Sequence, residues 1–430
     1  MPCVLNLIYA TLLAAFSPIL LLRSYKTGRY RDGWGEKFFG RAPRRIGDRP
    51  CIWFHAVSVG EVLLLKPILA EMARRRPGWD VVVSTTTRTG LAVARSSYPE
   101  ILTFYAPLDF SWSARAAVAR IRPTVLALVE LELWPNLVWA AKRAGARVAI
   151  VNGRLSHRSH RGYRRLRGPL GPTLRRLDSV AAQTDEYADR FVDLGVPAGR
   201  VRVTGSVKFD GLECDRSNPR TVKLRKALGI APADLVFVAG STMEGEEAAA
   251  LAAYREARKA HPRLRLVLVP RHAERFDRVA EWLESEGEAV IRRSRPQDTP
   301  PASHGRPAVI LLDTLGELSF AWGLADVAFV GGSLHPGRNG QNMMEPAAFG
   351  ASVLFGKYTS NFRSVVEQLL WRDGARVVAD AEALGRALQA DLDEPEAAAE
   401  RGMAARSFVL AQEGASGRTF AELDRLVEMA

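Results

Sequence analysis

At 430 residues, with 47% hydrophobic and 25% charged residues, the chain is too apolar for a disordered protein and long enough for two or three domains with cores of their own. Its net charge of +13 points to an anionic partner surface: nucleic acid, acidic phospholipid or a phosphorylated substrate. Cys3, Cys51 and Cys214 are widely spaced and form no C-x-x-C pair, so no disulfide framework or zinc site follows and a reducing compartment is the simpler view.

Val4–Leu22 is an apolar run interrupted by Asn6, Thr11, Ser17 and Pro18. Its length of about 19 residues is near the lower end for a membrane span. No Lys or Arg precedes it, so the charged n-region of a secretory signal is missing. Arg23, Lys26, Arg29 and Arg31 follow it and by the positive-inside rule keep the remainder cytoplasmic. A helix lying in the membrane interface, which Pro18 favours, is the alternative. Membrane attachment is expected in both cases. The connector Lys26–Arg49 interleaves basic residues with Tyr30, Trp34, Phe38 and Phe39, which suits a headgroup zone or an ordinary solvated linker.

From Cys51 to about Asp210, apolar runs alternate with helical patterns. Strands are predicted at Cys51–Ala56, Asp80–Ser84, Thr103–Ala106, Thr124–Leu128, Ala146–Val151, Ser179–Ala182 and Val201–Thr204. Helices are predicted at Val62–Arg76, Gly90–Ser97, Ser111–Arg120 and Leu137–Ala144. This alternation predicts a parallel, doubly wound sheet, whose ligands bind at the carboxyl ends of the strands. There stand Ser58-Val59-Gly60-Glu61, Ser84–Gly90, Glu130–Asn136 and Asn152–Ser156. Glu61, on a first helical turn, is a candidate site carboxylate. The alternative is a macrodipole partner, with Ser58 as cap. The most basic segment follows, with Arg154, Arg158, Arg161, Arg164, Arg165, Arg167, Arg175 and Arg176. So dense a one-signed cluster, built from arginine, suggests bidentate phosphate contacts.

Gly211–Leu224 breaks the pattern and reads as an interdomain linker. A second α/β series has strands at Leu235–Ala239, Leu264–Val269, Ala308–Leu312 and Val327–Val330, each followed by small or polar residues. Asn339–Ala347 has the form of a glycine-containing loop entering a helix, a place for phosphate. Glu345 is placed to take ribose hydroxyls there. Arg271 and Lys208 are placed to neutralise a leaving phosphate. No clustered His/Asp/Glu set appears, so no metal is expected. Ala381–Ala405 reads as helix interrupted at Pro395.

Taken together, the motifs Ser58–Glu61, Glu130–Asn136, Arg154-Leu155-Ser156, Lys208-Phe209-Asp210, Gly240-Ser241-Thr242, Glu244–Glu247, Pro270-Arg271-His272, Gly316-Glu317-Leu318 and Asn342-x-x-Glu345-Pro346 resemble those of the 3-deoxy-D-manno-octulosonic acid (Kdo) transferases. The resemblance runs from the apolar segment to past Glu345. It implies an α/β, GT-B architecture: two Rossmann-like, doubly wound domains facing across a cleft, an N-terminal membrane-anchoring helix and a C-terminal helix packing back. The corresponding divisions are 1–30, 31–212, 213–400 and 401–430. It implies transfer of Kdo from CMP-Kdo to a lipid A precursor, with inversion, at the cytoplasmic face of the inner membrane. Carried over by motif, Glu61 would be the general base, and Glu130 and Lys208 would stabilise the transition state. Arg271, His272, Leu315, Gly316, Glu317, Asn342, Met343, Met344 and Glu345 would hold CMP. Arg154, Arg158 and Arg161 are the candidates for an anionic glycolipid acceptor. Two positions depart from the family pattern: Met243 and Gln341 stand where it usually has His.

Two rival readings remain at this point. One is a GT-B transferase using another nucleotide sugar on a membrane acceptor. The other is a membrane-tethered nucleic-acid-binding protein, disfavoured because no recognition module is present and the arginines lie in one segment rather than along an aromatic platform.

Overall fold

The computed structural model describes residues 2–27, 32–295 and 307–430. The chain divides into two compact units, Met1–Asp210 with Gln412–Ala430, and Gly211–Ala411. The corresponding breaks expected from sequence fall after 212 and after 400. Its break after residue 30, with Arg29, Tyr30 and Arg31 of the connector, lies outside the described residues.

In the first unit the described strands are β1 (Cys51–His55), β2 (Asp80–Thr85), β3 (Leu102–Tyr105), β4 (Val125–Val129), β5 (Arg147–Gly153), β6 (Ser179–Ala182) and β7 (Val201–Val203). They form one parallel sheet in the order β3-β2-β1-β4-β5-β6-β7. β1 and β4 are buried along their whole length, as apolar runs are when helices cover both faces of a parallel sheet. Trp53 turns into one core and Ile52 and Phe54 into the other. Phe420, Leu423 and Leu426 of the helix Ala415–Glu428 complete the second core. The strand order reverses between β1 and β4, so the crevice for a ligand opens where these two strands end.

The apolar N-terminal run forms the helix Pro2–Thr27. Among the described residues no helix is long and apolar enough to cross a membrane. Two polar side chains tie this helix to the first unit. Asn6 bonds Ser111 through Oγ at 2.8 Å and through the backbone N–H at 3.0 Å. Tyr9 donates to Asp109 Oδ2 at 3.1 Å. Leu7, Ile8, Leu12 and Phe16 remain exposed. The connector contains a short helix, Trp34–Phe39, on which Trp34 and Phe38 stack at 4.8 Å.

The second unit repeats the plan with β8 (Leu235–Thr242), β9 (Leu264–Pro270), β10 (Val290–Arg292), β11 (Val309–Leu311), β12 (Val327–Val330), β13 (Ser352–Gly356) and β14 (Ala375–Val378). These pair in parallel in the order β10-β11-β9-β8-β12-β13-β14. Its reversal lies between β8 and β12. The expected linker Gly211–Leu224 is not all linker. The helix Pro219–Ala227 starts inside it, because Asn218 caps the Arg220 N–H at 2.8 Å and Pro219 sets the first helical φ. The alanine-rich stretch forms two helices, Ala381–Asp393 and Pro395–Ala411.

Candidate active site

Glu61 is the third residue of the helix Val59–Arg75, directly after β1. Ser58 caps that helix, taking the Glu61 N–H on Oγ at 3.3 Å. The carboxylate reaches back: Oε2 accepts the Val57 N–H at 2.8 Å and Oε1 the Ser58 hydroxyl at 2.6 Å. The exchange resembles a capping box, except that the glutamate takes the N–H of Val57, one residue before the cap, rather than that of Ser58. The next peptide group is fixed too, since the hydroxyls of Thr85 and Thr86 each donate to the Val57 carbonyl at 3.1 Å. The glutamate that caps the helix therefore has both carboxylate oxygens held in place.

Glu130 follows β4, across the point of reversal, with φ at 57°, a left-handed conformation uncommon outside glycine and asparagine. Its backbone N–H bonds Val151 O at 2.9 Å, which holds the turn against β5. Lys208, in the turn Val207–Phe209 after β7, puts Nζ 3.5 Å from Glu130 Oε1. The chain at Val207 is pinned to β5 by its N–H to Asn152 Oδ1 at 3.2 Å. The first unit thus brings the three expected catalytic residues to one end of one sheet.

A fourth residue, not singled out from sequence, joins them. Glu132 accepts the Trp134 indole N–H at 3.1 Å. The Trp134 ring stands edge-on to buried His55, centroids 5.0 Å apart. Burial pushes the His55 imidazole down to about 3, so it is neutral and serves as packing. The carboxyl of Glu61 is raised above the ordinary range, chiefly by burial and further by the charges of Glu132 and Glu130. The hydrogen bonds from Ser58 and Val57 oppose that rise. Glu132 is raised too, by burial first and then by Glu130. A carboxylate raised by burial and by neighbouring carboxylates is suited to taking up a proton near neutral pH. Asp109 was also missed: it caps the helix that follows this loop, accepting the Asn136 and Leu137 N–H groups at 3.1 and 2.9 Å. Beside it an apolar groove of about 460 Å³ runs between Tyr9, Leu12 and Phe16 on one wall and Phe110, Leu133 and Trp134 on the other.

The arginine-rich segment is helical, in His157–Arg165 and Arg167–Leu174. Arg158 and Arg161 are exposed there and, among the described residues, hold no ion pair, while Arg154 sits half-buried just after β5.

In the second unit, Arg271 and His272 follow β9, both exposed. Leu315 and Gly316 are exposed after β11. Glu317 is taken by Arg293 at 3.0 Å and by the Thr314 hydroxyl. Asn342 and Glu345 hold each other, Nδ2 to Oε1 at 2.9 Å, and Trp322 adds its indole N–H to Oε2 at 3.2 Å. Burial raises the Glu345 carboxyl, and the nearby charge of Arg271 is among the influences that lower it. The Met343 and Met344 side chains are buried, so only their backbones are left for a ligand. The Met344 N–H is already used by Asn342 Oδ1 at 3.1 Å. The helix that follows, Met344–Ala348, has only 5 residues.

Two Rossmann-like units, one with a carboxylate cluster at its point of strand reversal, define an α/β protein whose ligands are expected at the carboxyl ends of its parallel strands. Solved structures agree on the fold: UDP-GlcNAc 2-epimerase from Neisseria meningitidis is 14% identical, with a TM-score of 0.57, covering 89% of this chain and 100% of that one. A family model described as 3-deoxy-D-manno-octulosonic-acid transferase matches residues 32–211. The 3-deoxy-D-manno-octulosonic acid transferase of Haemophilus influenzae is 33% identical over 420 residues, 95% of this chain and 96% of that protein. That of Bordetella pertussis is 35% identical over 437 residues, 97% and 98% respectively. The chain belongs to the Kdo transferase family.

Proposed function

We propose that this enzyme moves Kdo from CMP-Kdo to a lipid A precursor, with inversion, and that its two units make a GT-B transferase. The first unit carries the acceptor and the base, and the second carries the donor. The observation that carries the reading is the Glu61 carboxylate, held by Ser58 and Val57 after β1, at the same sheet end as Glu130, its partner Lys208 and Glu132. A carboxylate offers about four lone-pair sites. Ser58 and Val57 use two of them, so others remain for the proton of an acceptor hydroxyl. In a single displacement that oxygen bonds the anomeric carbon as the bond to CMP breaks. The proton passes to Glu61, and the bonding pair leaves on the CMP phosphate. One attack from the face opposite the leaving group inverts the centre. Positive charge develops on the sugar in between. Glu130 is suited to face that charge, with Lys208 fixing its carboxylate. Arg271 and the Asn342–Glu345 loop are assigned to CMP. No metal is invoked.

Arg154, Arg158 and Arg161 supply the cations for an anionic glycolipid, and the groove beside Trp134 supports an acceptor with an apolar part. The exposed Leu7, Ile8, Leu12 and Phe16, with the net charge, favour attachment to an acidic membrane surface. On this reading the site of action is the cytoplasmic face of the inner membrane. The test is incubation of purified protein with CMP-Kdo and a tetra-acylated lipid A precursor, followed by mass spectrometry. Products heavier by whole Kdo units are expected. An unmodified acceptor, together with thermal stabilisation by UDP but not CMP, would transfer the assignment to another nucleotide sugar.

A further inference from the structure

Glu246 opens the helix Glu246–Ala257 and is fully buried. Its Oε2 accepts the N–H groups of Met243 at 2.8 Å and Gly332 at 2.6 Å. Its Oε1 accepts those of Ser333 at 2.9 Å and Leu334 at 3.0 Å. Four backbone donors therefore fill the lone pairs of one carboxylate. None is left for a ligand, so the side chain acts through the loops it joins.

Those loops follow β8 and β12, the two strands on either side of the second unit's point of reversal. Each is bonded onward to residues assigned to the donor. The Arg271 N–H goes to Thr242 O at 3.0 Å, and the Gly340 N–H goes to Gly332 O at 2.8 Å, at the turn that enters Asn342–Glu345. The loops meet backbone to backbone. A Cβ on Gly331 would lie 2.6 Å from Ser241 O and 2.8 Å from Glu246 Oε2. Ser241 itself is left-handed, with φ at 54°, a conformation that costs free energy unless its surroundings hold it.

We infer that Glu246 is a positioning residue for the donor: its carboxylate clasps the β8 and β12 loops and so sets the places of Arg271 and Asn342–Glu345. The inference rests on the reading of the second unit as the CMP-Kdo carrier. Replacing Glu246 by Gln keeps the size, but the amide offers one oxygen and turns its NH₂ toward N–H donors. The two loops then part, and the donor residues lose their register.

The full chain and Glu246→Gln are compared by CMP titration and by kinetics with each substrate varied in turn. CMP Kd and donor KM should rise at least about ten-fold, the equivalent of one charge-assisted hydrogen bond. Acceptor KM and kcat at saturating donor should stay within a few-fold. A residue that only supports folding would lower the active fraction, and with it kcat, leaving both KM values alone. That pattern, or equal changes in both KM values, overturns the inference. Wild-type protein that fails to bind CMP overturns the donor reading itself, and the inference with it. If Glu246→Gln does not fold, Gly332→Ala tests the same loop with the carboxylate intact. Gly332 has φ at 67°, and a Cβ there would meet the Gln341 side chain at 3.2 Å. Raised donor KM in that variant supports the inference, and unchanged donor KM overturns it.

Discussion

Ser58 and Glu61 hold each other: Ser58 Oγ takes the Glu61 N–H at 3.3 Å and gives its own hydrogen to Glu61 Oε1 at 2.6 Å. The capping contacts and the proposed role as base are therefore compatible in one arrangement. The hydroxyl favours the charged carboxylate, while burial, Glu132 and Glu130 disfavour it.

Removing the hydroxyl separates these influences. Ser58→Ala should cost about 1 kcal/mol of stability as a lost N-cap. It should also raise the Glu61 carboxyl further, because a donor to the ionised form is gone. A base works unprotonated, so the acid limb of kcat/KM should move to higher pH, with activity recovering toward wild type well above it. A pH–rate profile checks this. An acid limb that stays in place would show that Glu61 does not set it.

Glu61→Gln keeps the Val57 bond but accepts no proton. A base contributes about 10²–10⁴-fold in rate, and kcat should fall by that much while the CMP Kd is unchanged. Stability should move the other way or not at all. A carboxyl raised in the folded state stabilises below its unfolded pKa, and that contribution is lost as pH rises through the folded value. At neutral pH the wild type carries the cost of the buried charge and the amide does not, so Tm should be equal or higher. Turnover within a few-fold of wild type would leave Glu61 as a cap only.

The local features of this site were legible because they are written in neighbouring residues. The apolar run Cys51–Ala56, broken only by His55, and the Ser-x-Gly-Glu start fix a strand, a cap and a first-turn glutamate. Contacts made across the chain leave no such mark. Asp109 caps a helix that begins at Pro135, and Glu246 answers N–H groups beyond Gly331. The left-handed turn at Glu130 is not marked by a glycine. The arginine segment gave no helical signal because Gly162, Gly168, Pro169 and Pro172 interrupt it, yet two short helices form there. β10, β13 and β14 lie beyond the four strands expected in the second unit, and in β14 Arg376, which pairs with Asp391 at 2.8 Å, interrupts a short apolar run.

The arginines test the acceptor assignment. Arg158 and Arg161 are exposed on a helix and, among the described residues, have no anionic partner, so their removal should leave Tm nearly unchanged. If they receive acceptor phosphates, the double change to Ala should raise acceptor KM. At a wet surface each contact is worth about 1 kcal/mol or less, roughly five-fold. Donor KM should stay put, and equal effects on both substrates would point away from an acceptor role.

The N-terminal helix offers two perturbations with opposite readouts. Asp109 is pushed up to about 6 by burial, against the opposing bonds from Asn136, Leu137 and Tyr9. Tyr9→Phe removes one donor to its carboxylate and should cost about 1 kcal/mol at pH 7. The cost should shrink below about pH 6, where the wild-type carboxyl also protonates. Urea unfolding at two pH values measures it, and binding to anionic vesicles should be unchanged because the apolar face is intact. Deleting residues 1–22 removes Asn6, Tyr9 and that face together. Asp109 keeps its two backbone donors, so the helix Pro135–Arg143 stays capped and the protein should still fold with a lowered Tm, while vesicle binding falls. A truncated protein that binds vesicles as well as the full chain would show that the helix is not what attaches it. One without a cooperative melting transition would show that the helix is part of the first unit's core.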